Sequence, residues 1–180
     1  MKPKPIFSTL IVAISLLFMA AGCQEQDDSP QLPPETQTGA RTFGALIDGD
    51  VFLRGPGFQA GWRTTLRAER RPTHNHIRIT AIGTVFGEPQ RLVTIEMIVE
   101  NPQVGVKTEI SEIRFREHER GSVRVENTGE FLLTKFEIID DNLSPMRVIL
   151  SGTFAFDTPS NNLFPSRRVT QGRFDIDRLL

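Results

Sequence analysis

The chain has 180 residues, 24% of them charged, with a formal net charge of −1, three histidines and one cysteine. That length suits one domain behind a leader segment, and the near-balanced charge without a basic tail argues against nucleic acid as a partner. A single cysteine rules out an intramolecular disulfide. Thirteen Phe, one Trp and no Tyr predict a phenylalanine core with few of the amphipathic rings that glycan- and peptide-binding faces favour.

Lys2 and Lys4 precede an apolar run over residues 6–21 that ends in Ala20-Ala21-Gly22-Cys23. A basic start, an apolar stretch and small residues before a cut are the layout of a secretory signal peptide. The run is short for a membrane span, which needs about 20 apolar residues, and an uncleaved span would give no role to the small residues and the cysteine. The ending resembles the lipobox of bacterial lipoproteins, with Ala20 where Leu is usual. The resemblance implies that Cys23 is acylated, palmitate included, and becomes the N-terminus. Removing residues 1–22 leaves nineteen basic and twenty-two acidic side chains. Residues 24–38 are acidic, polar and Pro-rich, with almost nothing to bury, and predict an extended or disordered tether. Fully extended, residues 24–41 would reach about 60 Å. The acids after Cys23 are similar to the surface-export signal of Bacteroidetes-type lipoproteins, and equally compatible with an ordinary linker.

From Thr42 the pattern becomes apolar-polar alternation. Residues 42–47 and 51–53 predict a hairpin, with Asp48-Gly49 as its turn. Residues 54–61 are a loop. Residues 62–68 alternate and are broken by Arg70-Arg71-Pro72-Thr73. Residues 76–82 present Ile77, Ile79 and Ala81 on one face, and residues 91–100 present Val93, Ile95, Met97 and Val99. Short strands follow over 112–116 and 122–126, with Asn127-Thr128-Gly129 separating the second from a strand over 131–139. Residues 146–157 place Met146, Val148, Leu150, Phe154 and Phe156 together. Residues 160–166 are a loop, and residues 168–177 close the chain. No ten-residue window has a helical period with caps. The expectation is an all-β, single antiparallel β-sandwich or open barrel of about 8–11 strands. The organisation reads as a signal peptide over 1–22, a lipidated Cys and tether over 23–41, and the β domain over 42–180.

The segment Thr36-Gln37-Thr38-Gly39-Ala40-Arg41-Thr42-Phe43-Gly44-Ala45-Leu46-Ile47-Asp48-Gly49 and the ending Gly172-Arg173-Phe174-Asp175-Ile176 resemble a group of small Bacteroidetes lipoproteins of unknown function. These open with "TQTGxxTFGxxxDG" and close with a "GRFD(I/V)" strand. Phe52 stands where that group often has Trp. The resemblance implies the anchor, an all-β fold and a cell-envelope location, and it carries no activity.

For chemistry, His74 and His76 lie two apart and on a strand would share a face, as a zinc pair does. They need a third ligand, such as His118 or a carboxylate, and Pro72-Thr73 before them reads equally as turn. Asp48 with Asp50, and Asp140-Asp141-Asn142, offer oxygens at predicted turns, far short of the six to eight that calcium takes. Asp175 and Asp177 share a strand face and read as solvated rather than as an acid-base pair. Ser111, Ser122 and Ser151 lack a nucleophile motif, and Gly55-Pro56-Gly57 precedes no helix. Phe58 and Trp62 read as capping one end of the core, with the loop over residues 55–62 as the alternative contact surface. No catalytic, cofactor or metal residue is therefore assigned, only lipidation at Cys23. The expectation is a lipid-anchored cell-envelope protein at the outer membrane, facing the periplasm or the cell surface. It would act as a non-enzymatic binding or structural module that contacts the membrane through its lipid and an envelope protein or glycan. The alternative is a small hydrolase or metal-dependent enzyme with its site at one end of the β domain.

Overall fold

The computed structural model describes residues 30–54, 66–71, 76–87, 89–140, 147–162 and 164–179. Within them lie nine strands: β1 (Thr42–Ile47), β2 (Asp50–Leu53), β3 (Leu66–Arg71), β4 (His76–Phe86), β5 (Arg91–Glu100), β6 (Lys107–Glu117), β7 (Gly121–Asp140), β8 (Arg147–Thr158) and β9 (Arg167–Leu179). All strand pairs are antiparallel. The fold is all-β, as the alternation predicts, and the pairing decides between sandwich and barrel. β9 returns to β1, and β2 joins β1 to β4, so eight strands close into a ring. β3 continues the line of β2 along the same edge of β4: Leu53 lies opposite Thr84, and Leu66 opposite Ala81. Closure leaves few free strand edges.

Local rules account for the turns. Asp48 (φ 55°) and Gly49 (φ 94°) both take positive φ in a two-residue hairpin that pairs Ile47 with Asp50, the geometry Asp-Gly favours because its twist matches that of the strands. At two places pairing overrides the sequence pattern. Arg70 and Arg71 do not break β3; they pair with Ile77 and His76. Asn127-Thr128-Gly129 does not separate two strands either. It is a bulge inside the 20-residue β7, where Glu109 pairs with Glu130 and Ile110 with Thr128, leaving Gly129 unmatched at φ 76°. A Cβ there would lie 2.5 Å from the Ala155 carbonyl oxygen, so only glycine fits the bulge.

Alternate residues of every ring strand point inward and fill the barrel, as expected for eight strands, whose interior is only wide enough for side chains. Phe43, Phe52, Phe115, Phe131, Phe154, Phe156 and Phe174 are buried with Ile79, Ile95, Met97 and Ile113. Phenylalanine contacts link Phe52 to Phe43 (6.0 Å), Phe43 to Phe154 (5.1 Å), Phe154 to Phe156 (6.2 Å) and Phe156 to Phe115 (6.4 Å). Phe115 in turn meets Phe164 at 5.7 Å. Phe164 belongs to the β8–β9 loop. Reciprocal backbone hydrogen bonds with Asn161 fold that loop so that the ring is 1% exposed and plugs one end of the barrel.

Candidate functional site

Two polar clusters are built into the barrel, one on its flank and one at the plugged end. The flank cluster centres on Asp175 of β9, which is 1% exposed although its side chain lies on the outer face. It is covered by residues 36–40, a stretch that reads as tether in the sequence. The amides of Thr38 and Ala40 donate to Oδ2, each at 3.0 Å, and that of Gly39 donates to Oδ1 at 2.9 Å. Thr36 Oγ1 donates to Oδ2 at 2.6 Å, and Ser151 Oγ, from β8, donates to Oδ1 at 2.7 Å.

Successive amides converging on one oxyanion form a nest, here filled by the chain's own carboxylate. Gly39 permits the turn, at φ 78° and packed against Asp177. Burial alone would raise the Asp175 pKa, but the hydrogen bonds from Ala40, Thr36, Ser151 and Gly39 outweigh it and lower the value to about 2. The same strap is fastened at two further points: Lys135 Nζ donates to the Gln37 carbonyl at 2.9 Å, and Arg173 to that of Pro33 at 3.0 Å. Pro33 packs on Gly44, where a Cβ would lie 2.6 Å from the ring.

The end cluster centres on Glu117, the last residue of β6, which is also 1% exposed. Its Oε1 accepts from Arg167 Nε at 2.7 Å and from Arg91 at 3.1 Å, while Arg120 Nε lies 3.8 Å from Oε2. Arg91 also reaches Asp50 at 3.2 Å, and Arg167 reaches Asp48 at 2.9 Å. Four turns are thus tied together beneath the Phe164 plug. Burial lowers the Arg167 pKa, but its hydrogen bonds to Glu117 and Asp48 more than offset this, so it is raised. Removing one member of a buried ion cluster costs about 3–5 kcal/mol because the remaining charges lose their partner, whereas an apolar replacement of similar volume often costs little. Glu117→Ala should therefore destabilise the barrel by about 3 kcal/mol in urea unfolding, and a Glu117→Leu/Arg167→Met double substitution by clearly less. Equal losses for the two would show that packing, not charge, sets the value.

The residues singled out from the sequence fall in different places. Cys23, His74, Asp141, Asn142, the segment over 55–62 with Phe58 and Trp62, and the side chain of Asp140 lie outside what is described. His76 opens β4 opposite Glu100. His118 follows β6, donating its amide to Leu92 O and placing Nε2 2.9 Å from Thr94 Oγ1. The eight residue steps of β5 from Leu92 to Glu100 span about 26 Å, so His118 is not a third ligand for a site at His76. Among the described residues no group of three His, Cys, Asp or Glu could hold a metal. Asp48 and Asp50 do share a cluster, but their oxygens face arginines. Asp175 is not solvated, contrary to expectation. Asp177 makes a two-point pair with Arg147 at 2.9 and 2.7 Å, and the hydrogen bond from Arg147 chiefly lowers its pKa. Ser151 belongs to the Asp175 nest, and Ser111 Oγ accepts from the Glu100 amide at 3.2 Å.

Sequence reasoning missed the strap, Glu117 with its arginines, and the Phe164 plug. The available signal for the strap was the hydroxyls and glycine of Thr36-Gln37-Thr38-Gly39 inside an otherwise acidic, Pro-rich stretch. Comparison with known proteins gives no match among protein-family models, curated proteins or solved structures. Among the described residues no helix is long and apolar enough to cross a membrane.

Proposed function

We propose that this chain is a lipid-anchored protein of the bacterial cell envelope, held at the outer membrane through an acylated Cys23, and that its barrel serves as a non-enzymatic binding or structural module. The reading rests on the sequence of residues 1–23 and is supported by one structural observation, the fastening of residues 36–40 to Asp175. Force applied at an N-terminal anchor would reach the barrel through the strap and be borne by a buried carboxylate rather than by the end of β1. With the strap docked as far as Leu32, the connection left between Cys23 and the barrel is residues 24–31, at most about 28 Å long instead of about 60 Å. Such a module works close to its membrane, on envelope proteins or glycan within that radius. The segments that resemble the Bacteroidetes lipoproteins are the ones that meet here: Thr36, Thr38 and Gly39 from the opening, Asp175 from the closing strand. That meeting gives the two separated motifs one shared structural task.

A second acyl chain turns marginal membrane binding into stable anchoring. Cys23→Ala should therefore move the protein from the membrane to the soluble fraction, or leave a precursor that retains residues 1–22. Fractionation with mass spectrometry of the N-terminus reads both. A wild-type protein whose mature N-terminus is an unmodified residue other than Cys23 would overturn the anchor.

A further inference from the structure

Outside both clusters, the outer face of β5, β6 and β7 carries a groove of about 240 Å³ lined by Thr94, Glu96, Arg114, Arg116, Ser122 and Arg124. The register places these residues in two adjacent rows across the strands. Thr94, Arg116 and Ser122 form one, and Glu96, Arg114 and Arg124 the other. A third row holds Glu112 and Glu126. Arg114 and Arg124 are directly opposite each other, an arrangement that is unfavourable on a sheet unless something compensates it.

Glu112 supplies the compensation, binding Arg114 Nε at 2.6 Å and Arg124 at 2.8 Å. Glu126 also meets Arg124, at 2.9 Å, and Glu96 lies 3.6 Å from Arg78 and 3.7 Å from Arg114. Four guanidinium groups thus face three carboxylates. The surplus cation is Arg116, which pairs with no carboxylate among the described residues. The register sets it between Thr94 and Ser122, both of which line the same groove. Burial first, and the Arg116 charge second, hold His118 beside Thr94 below its usual pKa, which favours the neutral imidazole and leaves Arg116 as the cation of this row.

We propose that this groove is an oxyanion site that takes a phosphate group, with Arg116 as its principal ligand and Ser122, Thr94 and the outer edges of Arg114 and Arg124 completing it. The fit follows from size and chemistry. The volume lies below the range of about 300–1,000 Å³ typical for whole small molecules, and so suits a single tetrahedral group. Guanidinium donors with adjacent hydroxyls match phosphate oxygens in charge and hydrogen-bond direction. The same group could be presented by a free phosphomonoester or by a lipid headgroup. The site stands on the barrel strands alone and does not depend on the anchor.

The test is NMR titration of the full chain in a neutral detergent, with inorganic phosphate added at constant ionic strength. Saturable shifts are expected at the amides of Thr94, Arg116 and Ser122. Arg116→Ala should weaken the apparent affinity by at least about tenfold, since the variant loses the charge-assisted hydrogen bonds of the principal ligand. Arg116→Lys should fall between the two, and Arg168→Ala, remote from the groove, should match the wild type. Doping the micelles with phosphatidic acid distinguishes the sources. The same shifts at lower phosphate content than the free ion requires would assign the site to a headgroup, and a response to the free ion alone would assign it to soluble phosphate. Either result supports the site. Shifts reproduced by sodium chloride alone, no saturable shift with either source, or an Arg116→Ala response equal to wild type would overturn it.

Discussion

Asp175→Ala is expected to release the strap and destabilise the barrel by about 3 kcal/mol. In the folded protein five close donors converge on this carboxylate: three backbone amides and two hydroxyls. Hydrogen bonds to a charged acceptor are individually worth about 1.5–3 kcal/mol. The sum is not lost, because a detached strap can present its amides to water; the hydroxyl of Ser151, 0% exposed, has less freedom to do so. Asn at this position would supply one acceptor oxygen and turn an NH2 group toward donors, so Asp175→Asn should recover little. Urea unfolding reads the stability, and amide exchange at Thr38, Gly39 and Ala40 reads the strap. Unchanged protection at those amides would show that the strap is held by other contacts.

The same residue sets an acid dependence. Its folded pKa, about 2, lies below the 3.8 of an ordinary aspartate, so between these values the unfolded chain binds more protons than the native one, and stability falls as pH falls. The contribution is fully present above about pH 5 and disappears as pH drops through about 2, amounting to about 2 kcal/mol. Asp175→Ala should flatten the stability profile in that window while leaving the profile above pH 5 parallel to wild type. An unaltered acid slope in the variant would assign the dependence to other carboxylates.

Leu150→Asp is expected to unfold the domain. Leu150 is 2% exposed in the middle of β8, between Phe136 of β7 and Ile176 of β9. The substitution removes an apolar side chain whose truncation alone costs about 2–5 kcal/mol, and it adds a carboxylate with no partner inside the barrel. The combined cost approaches the whole stability of a typical domain, about 5–15 kcal/mol. Thr153→Asp, on the outer face of the same strand opposite Arg173, should change stability by less than about 1 kcal/mol. Circular dichroism and urea midpoints of the two variants separate burial from strand propensity. Comparable effects at both positions would contradict the inward and outward assignment of β8.

What the sequence determined by itself is what depends on neighbours along the chain. Side chains alternate at period two, so β4, β5 and β8 and their buried faces were readable from apolar spacing alone. The Asp48-Gly49 turn was readable because only a few residue types tolerate its positive φ. Tertiary pairing decided the rest. The joining of 122–126 and 131–139 into one strand depends on β6 accepting a bulge at Gly129, and ring closure depends on β9 meeting β1, which are separated by most of the chain. Arg70 and Arg71 join β3 because β4 supplies a ladder that outweighs local charge. The two polar clusters were the least legible part. Asp175 and Glu117 look like surface acids in any local window, because a carboxylate's burial depends on donors delivered by distant segments. For Asp175 the close donors come from residues 24 and 135 to 139 positions away; for Glu117 they are Arg91 and Arg167, 26 and 50 positions away. Local patterns set the elements, and long-range hydrogen bonds and ion pairs set which polar residues the fold buries.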